Sequence, residues 1–352
     1  MIQKQAIKLT LFFSILFLGI SIGQSQNVKI NGDFRYRHES FNQENVDDFN
    51  RHQIRARVGI TAHIYTDVVF IGQIASGEND APFSTDQTLG GSFSSKYLWL
   101  DKAYVMWQPS YFDGLKLVGG KAPNPIYRPS NNQLEWNPDV HMEGLSASYG
   151  TNSSNLELFG TAFYYWMEQR AAGDNSLLVG GQGGFKYSTS DYKLSLGVGY
   201  HSYLNAKGNP TYYDSGNSFG NSVNEDGTYM YDYNLAEAFV EITAFNISLY
   251  VDVVNNVGID SDNMAYVAGL SYKLSDWSFN YNYLQIEKDA LIGVLNDPDF
   301  AGGVTDSKGH KANIAYAFSK SIVTDLTYIH STMGIDDGEY YLRLQLAFNF
   351  NF

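Results

Sequence analysis

The sequence has no cysteine in its 352 residues, which removes disulfide frameworks, thiolate metal sites, cysteine nucleophiles and a lipidated N-terminal cysteine together. Charge is also scarce: charged residues make up 17%, below the roughly 25% usual in soluble domains. What charge there is leans one way, with 23 Lys and Arg against 37 Asp and Glu, a formal net charge of −14. A nucleic-acid partner is thereby excluded, because neutralising phosphates takes clustered cations. Beyond the first 25 residues, no apolar run approaches the ~18 consecutive residues of a membrane-spanning helix. A chain of this kind that enters a membrane must do so as strands.

What the sequence has in abundance is aromatics and glycine: 27 Tyr, 22 Phe and 33 Gly beside only 8 Pro. They are spread over many short segments with polar residues between, rather than gathered for one soluble core. The N-terminus reads differently. Lys4 and Lys8 precede an apolar run from Leu11 to Ile20 and the small residues Ser21 to Ser25, the pattern of a signal peptide over 1–25, cleaved between Gly23 and Gln26. The run is shorter than the ~20 residues a membrane anchor needs.

The remaining chain, 26–352, alternates with a period of two. Val28, Ile30, Phe34 and Tyr36 fall on one face, and Asp33, Arg35, Arg37 and Glu39 on the other. The next segment sets Ile54, Ala56, Val58 and Ile60 against Arg51, Arg55 and Arg57. At the far end, Leu342, Leu344, Leu346, Phe348, Phe350 and Phe352 share one face, a set that needs only lipid as its partner. A terminal strand ending on Phe also resembles the signal read by outer-membrane assembly machinery. Thirteen further candidates bring the total to sixteen: 68–76, 97–108, 115–121, 141–149, 156–167, 178–187, 192–201, 232–243, 246–254, 264–273, 277–287, 309–318 and 321–330. The alternation is blurred at 68–76, 97–108 and 232–243.

The connections follow a rhythm of their own. Short links such as Thr66-Asp67, 188–191, Ala244-Phe245 and Ser319-Lys320 alternate with longer ones at 42–50, 77–96, 122–140, 168–177, 202–231, 288–308 and 331–339, with a medium one at 255–263. Short periplasmic turns and long extracellular loops are the rule for outer-membrane barrels, and a soluble sandwich has no reason to produce them. The fold expected is therefore all-β: a transmembrane antiparallel β-barrel of about sixteen strands. Its long loops, rich in Asn, Asp, Gly and Ser, are expected to be solvated. The acid pairs Asp47/Asp48, Glu225/Asp226 and Asp336/Asp337 lack the spacing of a calcium loop and are read as solvating. The seven histidines show no metal-type spacing, and no nucleophile elbow is evident, which leaves neither cofactor nor enzyme in the reading.

Several motifs are more specific. Trp99-Leu100-Asp101-Lys102-Ala103-Tyr104, Gly119-Gly120-Lys121-Ala122-Pro123-Asn124-Pro125, Leu134-Glu135-Trp136-Asn137-Pro138-Asp139 and Glu143-Gly144 follow one another in an order that resembles the putative porin family of Bacteroidetes-type outer membranes. A weaker resemblance is to alginate-export-type barrels, which share early Arg-rich strands. The porin resemblance implies passive diffusion of small hydrophilic solutes through a charged lumen. It also implies that the loop after the fifth strand, 122–140, folds inward, making Lys121, Asn124, Arg128, Glu135 and Asp139 candidates for a constriction, stiffened by Pro123, Pro125 and Pro129.

A pore selects through its lining, so the charged faces of the first two strands are the candidate pore wall: Asp33, Arg35, Arg37, Glu39, Arg51, Arg55 and Arg57. They can set up a transverse field, or simply pair with one another to stiffen the wall, or both. Two rivals remain: a barrel carrying anionic poly- or oligosaccharide along an arginine track, and a non-conducting adhesin or structural barrel with a plugged lumen. The partners expected are small solutes, outer-membrane lipid and the assembly machinery, with homotrimerisation left open.

Overall fold

The computed structural model describes residues 28–78, 84–151, 155–171, 173–213 and 216–352; the expected leader, 1–25, lies outside them. From Val28 to Asn351 the chain forms β1 (Val28–Gln43), β2 (Val46–Tyr65), β3 (Val68–Ser76), β4 (Gln87–Thr88), β5 (Leu98–Trp107), β6 (Leu115–Pro123), β7 (His141–Gly150), β8 (Leu156–Glu168), β9 (Ser176–Ser188), β10 (Tyr192–Leu204), β11 (Tyr233–Ala244), β12 (Ile247–Asn256), β13 (Met264–Leu274), β14 (Trp277–Ile286), β15 (Ser307–Ala317), β16 (Ile322–Met333) and β17 (Glu339–Asn351). Every neighbouring pair is antiparallel, and β1 pairs with β17, for example Phe34 with Phe350 and Glu39 with Gln345, so the sheet closes on itself. Sixteen strands make the wall. The two-residue β4 is extra: it pairs with Gln53 and Ile54 and covers a stretch of β2 that the shorter β3 leaves open.

The period-two alternation sorts the side chains as the pleat requires. Ile30 and Val198 stand 69% and 64% exposed on the outside of the wall, where only lipid can cover them. The opposite faces of the same strands carry Asp33, Arg35, Ser195 and His201 inward. Of the three blurred segments, 68–76 and 97–108 form β3 and β5 with a register shift between Gln73 and Ile74, and 232–243 forms β11. That bulge gives β5 an extra residue, which explains the broken alternation there.

Three connections differ from the sequence reading: 42–50, 288–308, and 202–231, which is expected to be solvated but buries Ala206, Tyr212, Asn221 and Tyr229 to 3% exposure or less. The expected loop 42–50 is mostly strand: β1 and β2 continue to a two-residue link at Glu44 and Asn45, with Asn45 at φ 61°. Outward residues above Tyr36 are polar, with Ser40 bonded to Asn50 and Asn42 to Asp48, so this hairpin rises beyond the apolar band as a solvated projection.

The second difference is larger. Loop 288–308 is not a solvated external loop but folds into the barrel, burying Ala290, Leu291, Ile292, Leu295 and Phe300 to 3% exposure or less. There it meets Leu134 and Trp136 from the loop after β6, Tyr229 from the loop after β10, and the inward faces of β9 to β16. Hydrogen bonds join the three loops. Asn221 donates to the Lys288 and Leu291 carbonyls at 2.9 and 2.7 Å and accepts from the Gly293 N–H at 2.8 Å, and the Asn137 N–H donates to the Leu295 carbonyl at 2.8 Å. The run Ala290-Leu291-Ile292-Gly293-Val294-Leu295 lacks polar residues, so leaving it in water would expose a large apolar area that burial removes at ~25 cal/mol per Å2. The interior is thus divided: a dry core against β9–β16, and a wet, charged space against β1, β2, β3 and β17.

Candidate functional site

The wet side is built by cross-strand register. Antiparallel pairing sets Asp33 opposite Arg57, Arg35 opposite Arg55 and Glu39 opposite Arg51 on the inner face, with Glu39 opposite Gln345 on the other flank. The like pair Arg35/Arg55 would repel unless carboxylates intervened. They do. Asp33 accepts from Arg55 Nε at 2.9 Å and Arg57 Nε at 2.7 Å, and Asp86, from the loop after β3, takes Arg35 and Arg37 at 2.5 and 2.8 Å.

Glu39 is fully buried, with Arg37 at 2.8 Å, Arg51 at 2.5 Å and Arg343 at 2.7 Å around it and the Gln345 amide donating at 2.7 Å. Buried charge is tolerated only when paired and hydrogen-bonded in this way.

Loop carboxylates complete the ring. Asp299 lies 2.7 Å from Arg343 and 3.4 Å from Arg37, Asp297 lies 2.5 Å from Lys311 Nζ, and Asp139 lies 3.5 Å from Arg57. Burial by itself would raise the Asp86 carboxyl, but Arg37 and Arg35 outweigh it and hold it below its ordinary value. Asp299 is likewise driven far down: burial opposes, and Arg343, Arg37 and Lys311 prevail. Between the arginine wall and these loops lies a cavity of about 640 Å3.

All seven wall candidates, Asp33, Arg35, Arg37, Glu39, Arg51, Arg55 and Arg57, take part in this network. The five loop candidates divide. Asp139 joins the network, also accepting from the Thr85 hydroxyl at 3.3 Å. Glu135 turns to the dry side, where His201 Nδ1 stands 3.0 Å away. Arg128 donates to the Trp136 carbonyl at 3.0 Å, and burial lowers its guanidinium pKa. Asn124 caps its own turn, accepting from the Ile126 N–H at 3.2 Å. Lys121 is on the outer face with Leu117 and Leu145, paired with Glu143 at 2.8 Å, and is not brought to the others.

Missed by the sequence reading were Asp86, Asp297, Asp299, Lys311 and Arg343. Arg343 sits on the polar face of the last strand and could have been found by extending the wall around the closure. Asp297-Pro298-Asp299 repeats the Asn137-Pro138-Asp139 corner on the other inward loop, a signal that was present. Asp86 left none.

The histidines also divide. His38 and His52 pack against each other outside, tilted, with ring centroids 4.7 Å apart, at the upper edge of the apolar band, whereas His141 and His201 are buried beside Asp101 and Glu135. A Gly-x-Ser-x-Gly string does occur, Gly216 to Gly220, but it lies in the loop after β10 and no helix follows it among the described residues, so it makes no nucleophile elbow.

A closed sixteen-stranded antiparallel barrel with inward loops and a charged interior gap is the architecture of a porin. The sequence belongs to the putative porin family, whose model matches residues 20–232 and 269–350. Solved barrels share the fold at low identity. OprB of Pseudomonas putida is 13% identical with a TM-score of 0.60, covering 92% of this chain and 94% of its own. OmpF of Salmonella typhi, solved with daunomycin, is 13% identical with a TM-score of 0.58 over 92% and 98%. A triple mutant of the Rhodopseudomonas blastica porin is 11% identical with a TM-score of 0.51 over 92% and 100%. No curated protein matches the sequence. Family and fold point to an integral outer-membrane channel, not an enzyme.

Proposed function

We propose that this porin passes small hydrophilic solutes by passive diffusion through a narrow gap beside β1, β2 and β17. The observation that supports this reading is the 640 Å3 cavity, bounded by Arg35, Arg37, Arg51 and Arg55 on one side and Asp86, Asp139 and Asp299 on the other. Opposite charges facing each other across water create a transverse field that orients a dipolar solute. Asp139 narrows the gap, while Asn124, Arg128 and Glu135 hold the loop in place. Because every arginine of the network has a carboxylate within ion-pair distance, selectivity between anions and cations is weak. The same pairing argues against an anionic-polysaccharide conduit, which asks for a track of free arginines.

The remaining expectations belong to this reading: removal of the leader, short turns on the periplasmic side, recognition of the last strand by the assembly machinery through Phe352, a homotrimer in the membrane, and a Bacteroidetes-type origin. The apolar core inside the barrel favours one rival, a plugged, non-conducting barrel.

Single-channel conductance of the refolded mature protein in planar bilayers, with the reversal potential under a salt gradient, separates the two. Steady conductance with a small reversal potential is expected. Silence from protein whose heat-modifiable gel mobility shows it folded would transfer the assignment to the plugged barrel.

A further inference from the structure

A second cavity, of about 670 Å3, lies inside the barrel on the short-turn side of the loop that follows β6. Its chemistry differs from that of the arginine gap. Tyr127 of the loop and Phe159 of β8 line this second cavity, their ring centroids 5.6 Å apart, and Phe239 of β11, buried to 4% exposure, backs them with its centroid 5.4 Å from that of Tyr127.

The wall is cut away to receive them. A Cβ on Gly184 would come within 2.7 Å of the Phe159 ring and one on Gly197 within 2.3 Å of Phe239, so both rings lie flat against the sheet where side chains would otherwise stand. Tyr127 is held at every polar point. Gln182 takes its N–H and its carbonyl at 2.8 and 2.9 Å, and its hydroxyl bonds to Glu241 and, at 3.4 Å, to Ser195. What is left for other contacts is the face of the ring.

That face is not sealed by packed apolar groups. Lys186 Nζ hovers 5.2 Å from the Tyr127 centroid and 5.3 Å from that of Phe159, its side chain 34% exposed and tethered at 3.1 Å to a Glu157 that is 42% exposed. A solvated ammonium of this kind is displaced without leaving a charge buried, since it stays in water beside its carboxylate. A ligand settling on the rings would then find Lys186 as donor and Glu157 as acceptor at its edge.

We infer that this cavity is a binding subsite for a neutral saccharide. A pyranose offers an apolar C–H face that suits an aromatic surface and a rim of hydroxyls that both donate and accept. A small inorganic ion gains nothing from the rings, and an extended hydrocarbon gains nothing from the Lys186–Glu157 rim. The inference rests on the diffusion reading, because the solute must reach the interior, and it names the class of solute the passage retains.

The test uses the refolded mature protein in planar bilayers, with maltotriose added to one side at a time and the salt current as reference. The expected result is concentration-dependent interruption of the current, with the half-blocking concentration raised roughly tenfold by Phe159→Leu, which keeps an apolar side chain but removes the ring. A steady salt current that maltotriose never interrupts, or that Phe159→Leu leaves equally sensitive, overturns the saccharide subsite while the porin reading stands. Absence of any salt current from folded protein overturns both.

Discussion

The two sides of the barrel interior solve one problem in opposite ways. Against β9–β16 the inward faces carry Leu178, Tyr233, Leu235, Val267 and Leu284, and the inward loops cover them, making a dry core as in a soluble domain. Against β1, β2 and β17 the inward faces carry arginines, and the same loops present Asp139, Asp297 and Asp299 instead of leucines. The loop after β14 does both within ten residues, Leu291 and Ile292 facing the core and Asp299 facing Arg343. Inside a barrel the lining of the wall therefore decides whether an incoming loop seals the space or leaves a charged gap. The lipid-facing exterior is apolar on both sides and plays no part in that choice.

The sharpest way to break this comparison is to put an unpartnered charge on the dry side, where the buried Glu135 already has His201 beside it. Ile292→Asp places a carboxylate without a partner in the core, a change that costs about 3–5 kcal/mol. The loop is expected to leave the barrel, so that single-channel conductance rises and becomes noisy while the compact gel mobility of the barrel persists. Unchanged conductance would mean that the apolar core does not border the passage.

Next in size is Arg343→Met, which removes the shared partner of Glu39 and Asp299. If the wet side is a buried network, the temperature at which compact mobility is lost should fall by the equivalent of about 3 kcal/mol. If its pairs are merely solvated, the loss stays below about 1 kcal/mol.

Smaller again are changes in selectivity. Asp139→Asn should shift the reversal potential toward anions, and Arg57→Gln should shift it toward cations. Two variants with identical reversal potentials would place the passage elsewhere.

The smallest effect is that of pH. Asp86 and Asp299 titrate below their ordinary value of 3.8, so the stability they contribute is fully present above it and is lost only as pH falls through their lowered values. The melting temperature should accordingly hold from neutral pH to about pH 4 and fall below that, with a shallower fall in Asp299→Asn. A drop centred above pH 5 that persists in Asp299→Asn would assign acid sensitivity to other groups.

Much of this was legible beforehand. The strand expected at 141–149 is found at His141–Gly150, 264–273 at Met264–Leu274 and 309–318 at Ser307–Ala317. The arginines of β1 and β2 were placed on one face from their spacing alone. Loop 122–140 folds inward as the family resemblance implies, whereas the destinations of the other inward loops are not legible in the sequence. The length and position of 288–308 predict a solvated loop, yet Ala290 to Leu295 has no polar side chain and is buried, and Glu135, a constriction candidate, meets His201 instead of the gap.

The sequence by itself determined the strands and the inward and outward faces of each, because a period of two is a local property that the pleat imposes whatever the rest of the chain does. Only the tertiary structure decided that half the interior is dry, that Asp86, Asp297 and Asp299 answer the arginines, and that Tyr127 meets Phe159 and Phe239. These depend on which residues, tens to hundreds of positions apart, the closed wall brings to face one another, and no local pattern encodes that.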